Sequence, residues 1–93
     1  MNPVEKRLGV VAVLLDRDTA PVDQVNELIS SFGDGVIGRL GLPYPDRGVA
    51  IITLVVDMPV DRVSAFTGKL GTLPGVQVKS LMTRAPEPGA HHV

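Results

Sequence analysis

Leu8–Leu15 reads LGVVAVLL and Val49–Val56 reads VAIITLVV. A strand sends successive side chains to opposite faces, so a run that is apolar at every position is apolar on both faces. Strands of this kind belong in the interior of a sheet, with cover above and below. A chain of 93 residues has room for one layer of helices, which covers one side only. The other apolar face then needs a second cover, and another copy of the same chain supplies it most simply.

The elements around these two strands follow from local signals. Asp16-Arg17-Asp18-Thr19 stops the first strand, which spans Arg7 to Leu15. Pro21 opens a helix whose Val22, Val25, Leu28, Ile29 and Phe32 fall on one face, with Gly33 as its left-handed cap. Val36 to Leu42 is a second strand, and its Gly38, Gly41 and Pro43 suit a sheet edge. Tyr44-Pro45-Asp46-Arg47-Gly48 has the Pro, Asp and Gly of a hairpin connection into the third strand. Asp57-Met58-Pro59 opens a second helix with Val60, Val63, Phe66 or Thr67 and Leu70 as its stripe, closed by Gly71. Leu73-Pro74-Gly75 turns the chain into Val76 to Arg84, a half-exposed edge strand.

Strand-helix-strand therefore occurs twice, joined by a hairpin. Right-handed crossovers convert that order into an α+β, ferredoxin-like βαββαβ arrangement, a four-stranded antiparallel sheet of order 4-1-3-2 with two helices on one face. Its central strands are the first and third, the two that read apolar on both faces. The expected division is a tail over 1–6, one ferredoxin-like domain over 7–84 and a disordered tail over 85–93, which holds two prolines and no periodic pattern.

Composition removes several classes of function. The formal net charge is -1, from nine Lys plus Arg and ten Asp plus Glu, with no block of one sign, so neither nucleic acid nor an anionic membrane is an expected partner. Cysteine is absent, which removes disulfides, thiolate nucleophiles and thiolate metal sites together. The only histidines, His91 and His92, are adjacent in the tail, whereas zinc and nickel need several ligands in fixed geometry; no metal site and no cofactor are expected. The apolar run after MNPVEKR is cut off by Asp16 and is too short for a signal peptide or a membrane span, so the expected location is the cytoplasm. The central strands carry no aromatic residue on which bases would stack. The carboxylates Asp16, Asp18, Asp34, Asp46 and Asp57 sit at strand ends and turns, where short acids stop strands and cap helices. No catalytic set is read from them.

Small-ligand binding remains. The loop Asp16 to Ala20 leads into a helix N-terminus that favours an anion, while Asp16 and Asp18 suit an amine; the candidate ligand residues are Asp16, Arg17, Asp18, Thr19 and, on the second strand, Arg39. The candidate interface residues are Val11, Val13, Ile51, Ile52 and Gly68. Gly68 costs about 1 kcal/mol against Ala inside a helix, which suggests a close approach of a sheet or partner there.

The order RLGVVAVLLDRD, APVDQVNELISSFGDGVIGRLGLPY, GVAIITLVVD and SAFTGKLGTLPGVQVKSL resembles the iron-only hydrogenase system regulators, small bacterial proteins related in fold to the nickel-responsive regulator's carboxyl-terminal domain and to ACT domains. The resemblance runs from about Arg7 to Arg84 and is most specific at Gly68-Lys69-Leu70-Gly71, Gly75-Val76 and Val78-Lys79, with support from Gly38-Arg39, Gly41 and Pro43. It implies a domain that forms dimers or tetramers through its sheet and responds to a small effector, and ACT domains imply the loop after the first strand as the place for it. The nickel regulator's histidine and cysteine ligands have no counterpart here, so nickel sensing is not carried over. Only Met1 to Lys6 precede the domain, so ribbon-helix-helix DNA binding is not expected either.

The expected role is a non-catalytic, self-associating regulatory or ligand-sensing domain; the alternative is a structural or adaptor protein that binds another protein through the sheet. An enzyme stays open only if its site is built across chains. With His91 and His92 removed, calorimetry is expected to show no submicromolar nickel or zinc binding, and gel shifts no specific DNA complex. Tight metal binding by the truncated chain would overturn the ligand inventory.

Overall fold

The computed structural model describes residues 5–83. Arg84 and the expected tail with His91 and His92 lie outside the described residues, as do residues 1–4. The chain runs β1 (Arg7–Asp16), α1 (Val22–Ser31), β2 (Val36–Tyr44), β3 (Val49–Met58), α2 (Val60–Gly71) and β4 (Val76–Met82), with single 3-10 turns at Gly33–Gly35 and Pro45–Arg47. The strands form one sheet of order β2-β3-β1-β4, antiparallel at every pairing. This is the expected order read from the other edge, with β1 and β3 in the middle.

Both central strands run longer than their apolar cores suggest. β3 continues through Asp57 to Met58, which is 1% exposed and pairs across to Arg7. The helices cover one face of the sheet. Val11, Val13 and Leu15 of β1 and Ile52, Leu54, Val56 and Met58 of β3 meet Val25, Ile29, Val63, Phe66 and Leu70 of the helices. Phe32 and Phe66 close the layer, ring centroids 4.7 Å apart. No polar or charged residue among those described is buried, so apolar packing alone fills the core.

Three local expectations are corrected. Val22 and Val60 are exposed at 49% and 38%; the buried stripes begin one turn later at Val25 and Val63, because periodicity sets which side of a helix is apolar but not where the sheet beneath it ends. Gly33 has no left-handed conformation; the chain tightens into the 3-10 turn, and the Gly35 N–H donates to the Phe32 carbonyl at 3.0 Å. Gly68 has nothing within 4 Å of where a Cβ would lie, so among the described residues of this chain the sheet makes no close approach to it. The hairpin holds as read, with Pro45–Arg47 turning and Gly48 left-handed at φ 66°. Among the described residues, no helix is long and apolar enough to cross a membrane.

Adjacent isoleucines separate the two faces. Ile52→Lys buries an unpaired charge in the core and is expected to cost about 4 kcal/mol or more, while Ile51→Lys, on the other face, costs about 1 kcal/mol or less in the isolated chain. Gly68→Ala is expected to stabilise by about 1 kcal/mol through helix propensity. Urea titration at low protein concentration reads all three.

Candidate functional site

The helix-free face of the sheet is laid out by the strand register. Three rows cross it: Gly38–Val55–Val10–Leu81, Leu40–Thr53–Ala12–Lys79 and Leu42–Ile51–Leu14–Gln77. Lys79 is the one charged side chain in these rows. Leu81 is exposed at 74%, Leu40 at 67%, Leu42 at 53%, and Leu8, Val10, Leu14 and Val55 add to the same surface. Apolar residues scattered singly over a surface need no explanation, but a contiguous sheet of them does.

Of the expected interface residues, only Ile51 is on this face. Val11 and Val13 are fully buried and Ile52 is 7% exposed, all three beneath the helices; a run that is apolar throughout does not say which alternate set the helices take. Gly68 lies on the exposed side of α2, away from the sheet. The edge residues Leu40, Leu42 and Leu81 were not singled out from sequence, although their parity with Ile51 and Val10 in the hairpin register could have found them.

At one end of the sheet, the β1–α1 loop borders an open groove lined by Leu14, Asp16, Asp18, Arg47, Val49 and Gln77, among others. The loop is internally satisfied. Asp16 N–H donates to the Gly75 carbonyl (2.8 Å) and Arg17 N–H to that of Gly48 (3.0 Å), while Thr19 and Ala20 N–H both donate to the Asp16 carbonyl. Asp18 N–H donates to Asp16 Oδ1 at 3.0 Å. The amides from Asp16 to Ala20 are thus all in use, so any free donors at this end of the sheet are those of the first turn of α1, which starts at Val22. Gly75, left-handed at φ 70°, passes so close that a Cβ there would lie 2.5 Å from Thr19 Oγ1. Glycine is therefore required on the neighbouring loop rather than within 16–20.

The candidate ligand residues separate accordingly. Asp16 and Asp18 line the groove. Arg17 and Thr19 are tied into the loop through their backbone, and Arg39 lies elsewhere, over the helices, with its guanidinium donating to Asn26 Oδ1 at 2.8 Å. Arg47 and Gln77, which the sequence did not single out, complete the polar lining; their approach depends on a hairpin and an edge strand far apart in the chain. Two carboxylates and a guanidinium lining one groove suit a small molecule bearing both charges.

A second polar cluster sits on the helix layer. Arg62 grips Asp34 through both carboxylate oxygens, at 2.6 and 3.0 Å, and lies 5.2 Å from the Phe32 ring centroid. Hydrogen bonding from Arg62 holds the Asp34 carboxyl below its ordinary range. Among the described residues, no group of three His, Cys, Asp or Glu is placed to hold a metal ion.

The architecture defines a domain of ferredoxin-like fold. It superposes with a TM-score of 0.67 on the ACT domain from GTP pyrophosphokinase of Chlorobium tepidum, at 19% identity, covering 95% of this chain and 99% of that one; at that identity the likeness is one of fold. The chain belongs to the TM1266-like family, described as "Iron-only hydrogenase system regulator, putative", whose model matches residues 7–80. The uncharacterized protein TM1266 from Thermotoga maritima is similar at 34% identity and a TM-score of 0.82, over 86% of this chain and all of that one. No curated protein matches the chain.

Because the folded-state pKa of Asp34 is depressed, the stabilisation from its pair with Arg62 is present above the unfolded carboxylate range, about pH 4, and is lost as pH falls through the lower folded value. Both groups are surface residues, so the effect is small. Asp34→Asn is expected to lower the melting temperature at pH 7 and to leave it unchanged once the wild-type carboxyl is protonated. Arg62→Ala should return the Asp34 titration, followed by NMR, to the ordinary carboxylate range.

Proposed function

We propose that this chain is a non-catalytic regulatory domain of the cytoplasm that associates with copies of itself through the helix-free sheet face and responds to a small ligand at the groove beside Asp16 and Asp18. The exposed apolar face carries the reading. Four strands about 4.8 Å apart and some nine residues long give a projected footprint of roughly 600 Å², and its corrugated accessible area is comparable with the ~800 Å² per partner of a standard stable interface. Membership of a family described as a hydrogenase-system regulator supports a regulatory role, and the ACT-like fold is compatible with one. The titratable groups that line the groove are carried on exposed turns and strand ends rather than desolvated in a cleft, which suits binding better than proton transfer.

The ligand expected at the groove is a small zwitterion, its amine on the carboxylates of Asp16 and Asp18 and its acid on Arg47. Leu14 and Gln77 line the groove and also belong to the third row of the sheet face, so a bound ligand touches residues that a second copy covers.

Light scattering at micromolar concentration is expected to give at least a dimer mass, and Ile51→Lys to give a folded monomer. A wild-type monomer would remove the self-association. NMR titration with candidate zwitterionic metabolites is expected to move the amides of Asp16 to Val22; a binder that moves Gly68 to Gly75 and leaves Asp16 to Val22 still would place the ligand elsewhere.

A further inference from the structure

We propose that two copies stack sheet on sheet about a twofold axis parallel to the strands, so that Leu81 of each copy fills the notch at Gly38 of the other. This rests on the self-association proposed above and adds its geometry. A closed dimer is built on a twofold axis, and stacked sheets keep their strands within about 30° of each other or cross near right angles. For aligned sheets, an axis lying between the two faces runs either along the strands or across them. The rows distinguish the two.

An axis along the strands reverses each row onto itself. The row Gly38–Val55–Val10–Leu81 then meets the same row in the opposite sense. Leu81, the most exposed of the large apolar side chains at 74%, lies over the partner's Gly38, where only Val55 stands near, its Cβ 3.7 Å from the missing Cβ position. Val10 meets the partner's Val55. In the middle row, Lys79 lies over the partner's Leu40; both are on edge strands, so the lysine stem covers leucine while the ammonium reaches water at the rim. In the third row, Ile51 meets the partner's Leu14.

An axis across the strands exchanges the outer rows and sets the middle row against itself. Lys79 would then face the partner's Lys79 at the same rim, on sheets about 10 Å apart, a like-charge pairing that interfaces avoid. Leu81 would face the partner's Gln77, and the notch at Gly38 would face the partner's Leu42. The one charge on the rows, the largest protrusion and the one gap are therefore all accommodated by the axis along the strands.

A double-mutant cycle on the dimer dissociation constant, measured by sedimentation equilibrium, tests this arrangement. Gly38→Val fills the notch and Leu81→Ala removes the protrusion; each is expected to weaken the dimer about tenfold, a change of about 1.4 kcal/mol. The double variant is expected to be weakened by clearly less than the product of the two, because removing Leu81 makes room for the valine. Within one chain the two positions are three strand spacings, about 14 Å, apart, beyond the roughly 10 Å over which substitutions couple, so coupling has to pass through the partner. Should the valine variant fail to fold by circular dichroism, Gly38→Ala takes its place. Factors that simply multiply, or a dimer tightened tenfold by Lys79→Ala, would overturn the arrangement while leaving self-association standing. A wild-type monomer would overturn both.

Discussion

The structure depends on the need to bury β1 and β3 on two sides. Val11, Val13, Leu54 and Val56 are fully shielded from water on one side, and fully burying a side chain of this size is worth about 1.5–3 kcal/mol. Two helices of ten and twelve residues suffice for that side and leave nothing for the other. Val10, Leu14 and Val55 consequently remain more than a third exposed. The helix layer makes a stable chain of limited size, and the uncovered layer gives that chain a reason to associate.

The polar parts of the molecule occupy the ends that this constraint leaves free. Where β1 ends at Asp16, the loop closes on itself through the Asp16 carbonyl and side chain and on its neighbours through the carbonyls of Gly48 and Gly75. The backbone is satisfied, so the side chains of Asp16, Asp18 and Arg47 are the groups left to meet a ligand. Their groove shares Leu14 and Gln77 with the apolar face. Under the proposed function, occupancy of one and coverage of the other would be linked: a ligand that binds the associated form better shifts the assembly equilibrium by that difference in affinity and no more.

Family and fold carry different weights here. A sheet of order β2-β3-β1-β4 beneath two helices is shared with an ACT domain at 19% identity, and a fold at that distance hosts many functions. The family match over residues 7–80 reaches further toward a regulatory role. What the groove does depends on its own side chains, and those lie on elements that the sheet brings together.

Element order, strand order and the central place of β1 and β3 were legible in the sequence, because binary pattern, turn residues and crossover handedness act locally and agree. The two-faced apolar runs announced that a second cover was needed. They could not say which alternate residues faced it: Val11, Val13 and Ile52 went to the helices and Ile51 to the open face, since a run apolar at every position carries no parity signal. The groove was half legible. Asp16 and Asp18 stood out as a polar stop after a strand, but Arg47 and Gln77 reach it only through the hairpin and the β1–β4 pairing, and the use of every amide from Asp16 to Ala20 became visible only when the carbonyls of Gly48 and Gly75 were in place. Local chemistry determined the parts; long-range pairing decided which of them meet, because the partners of a strand are set by register across the sheet and not by neighbours in the chain.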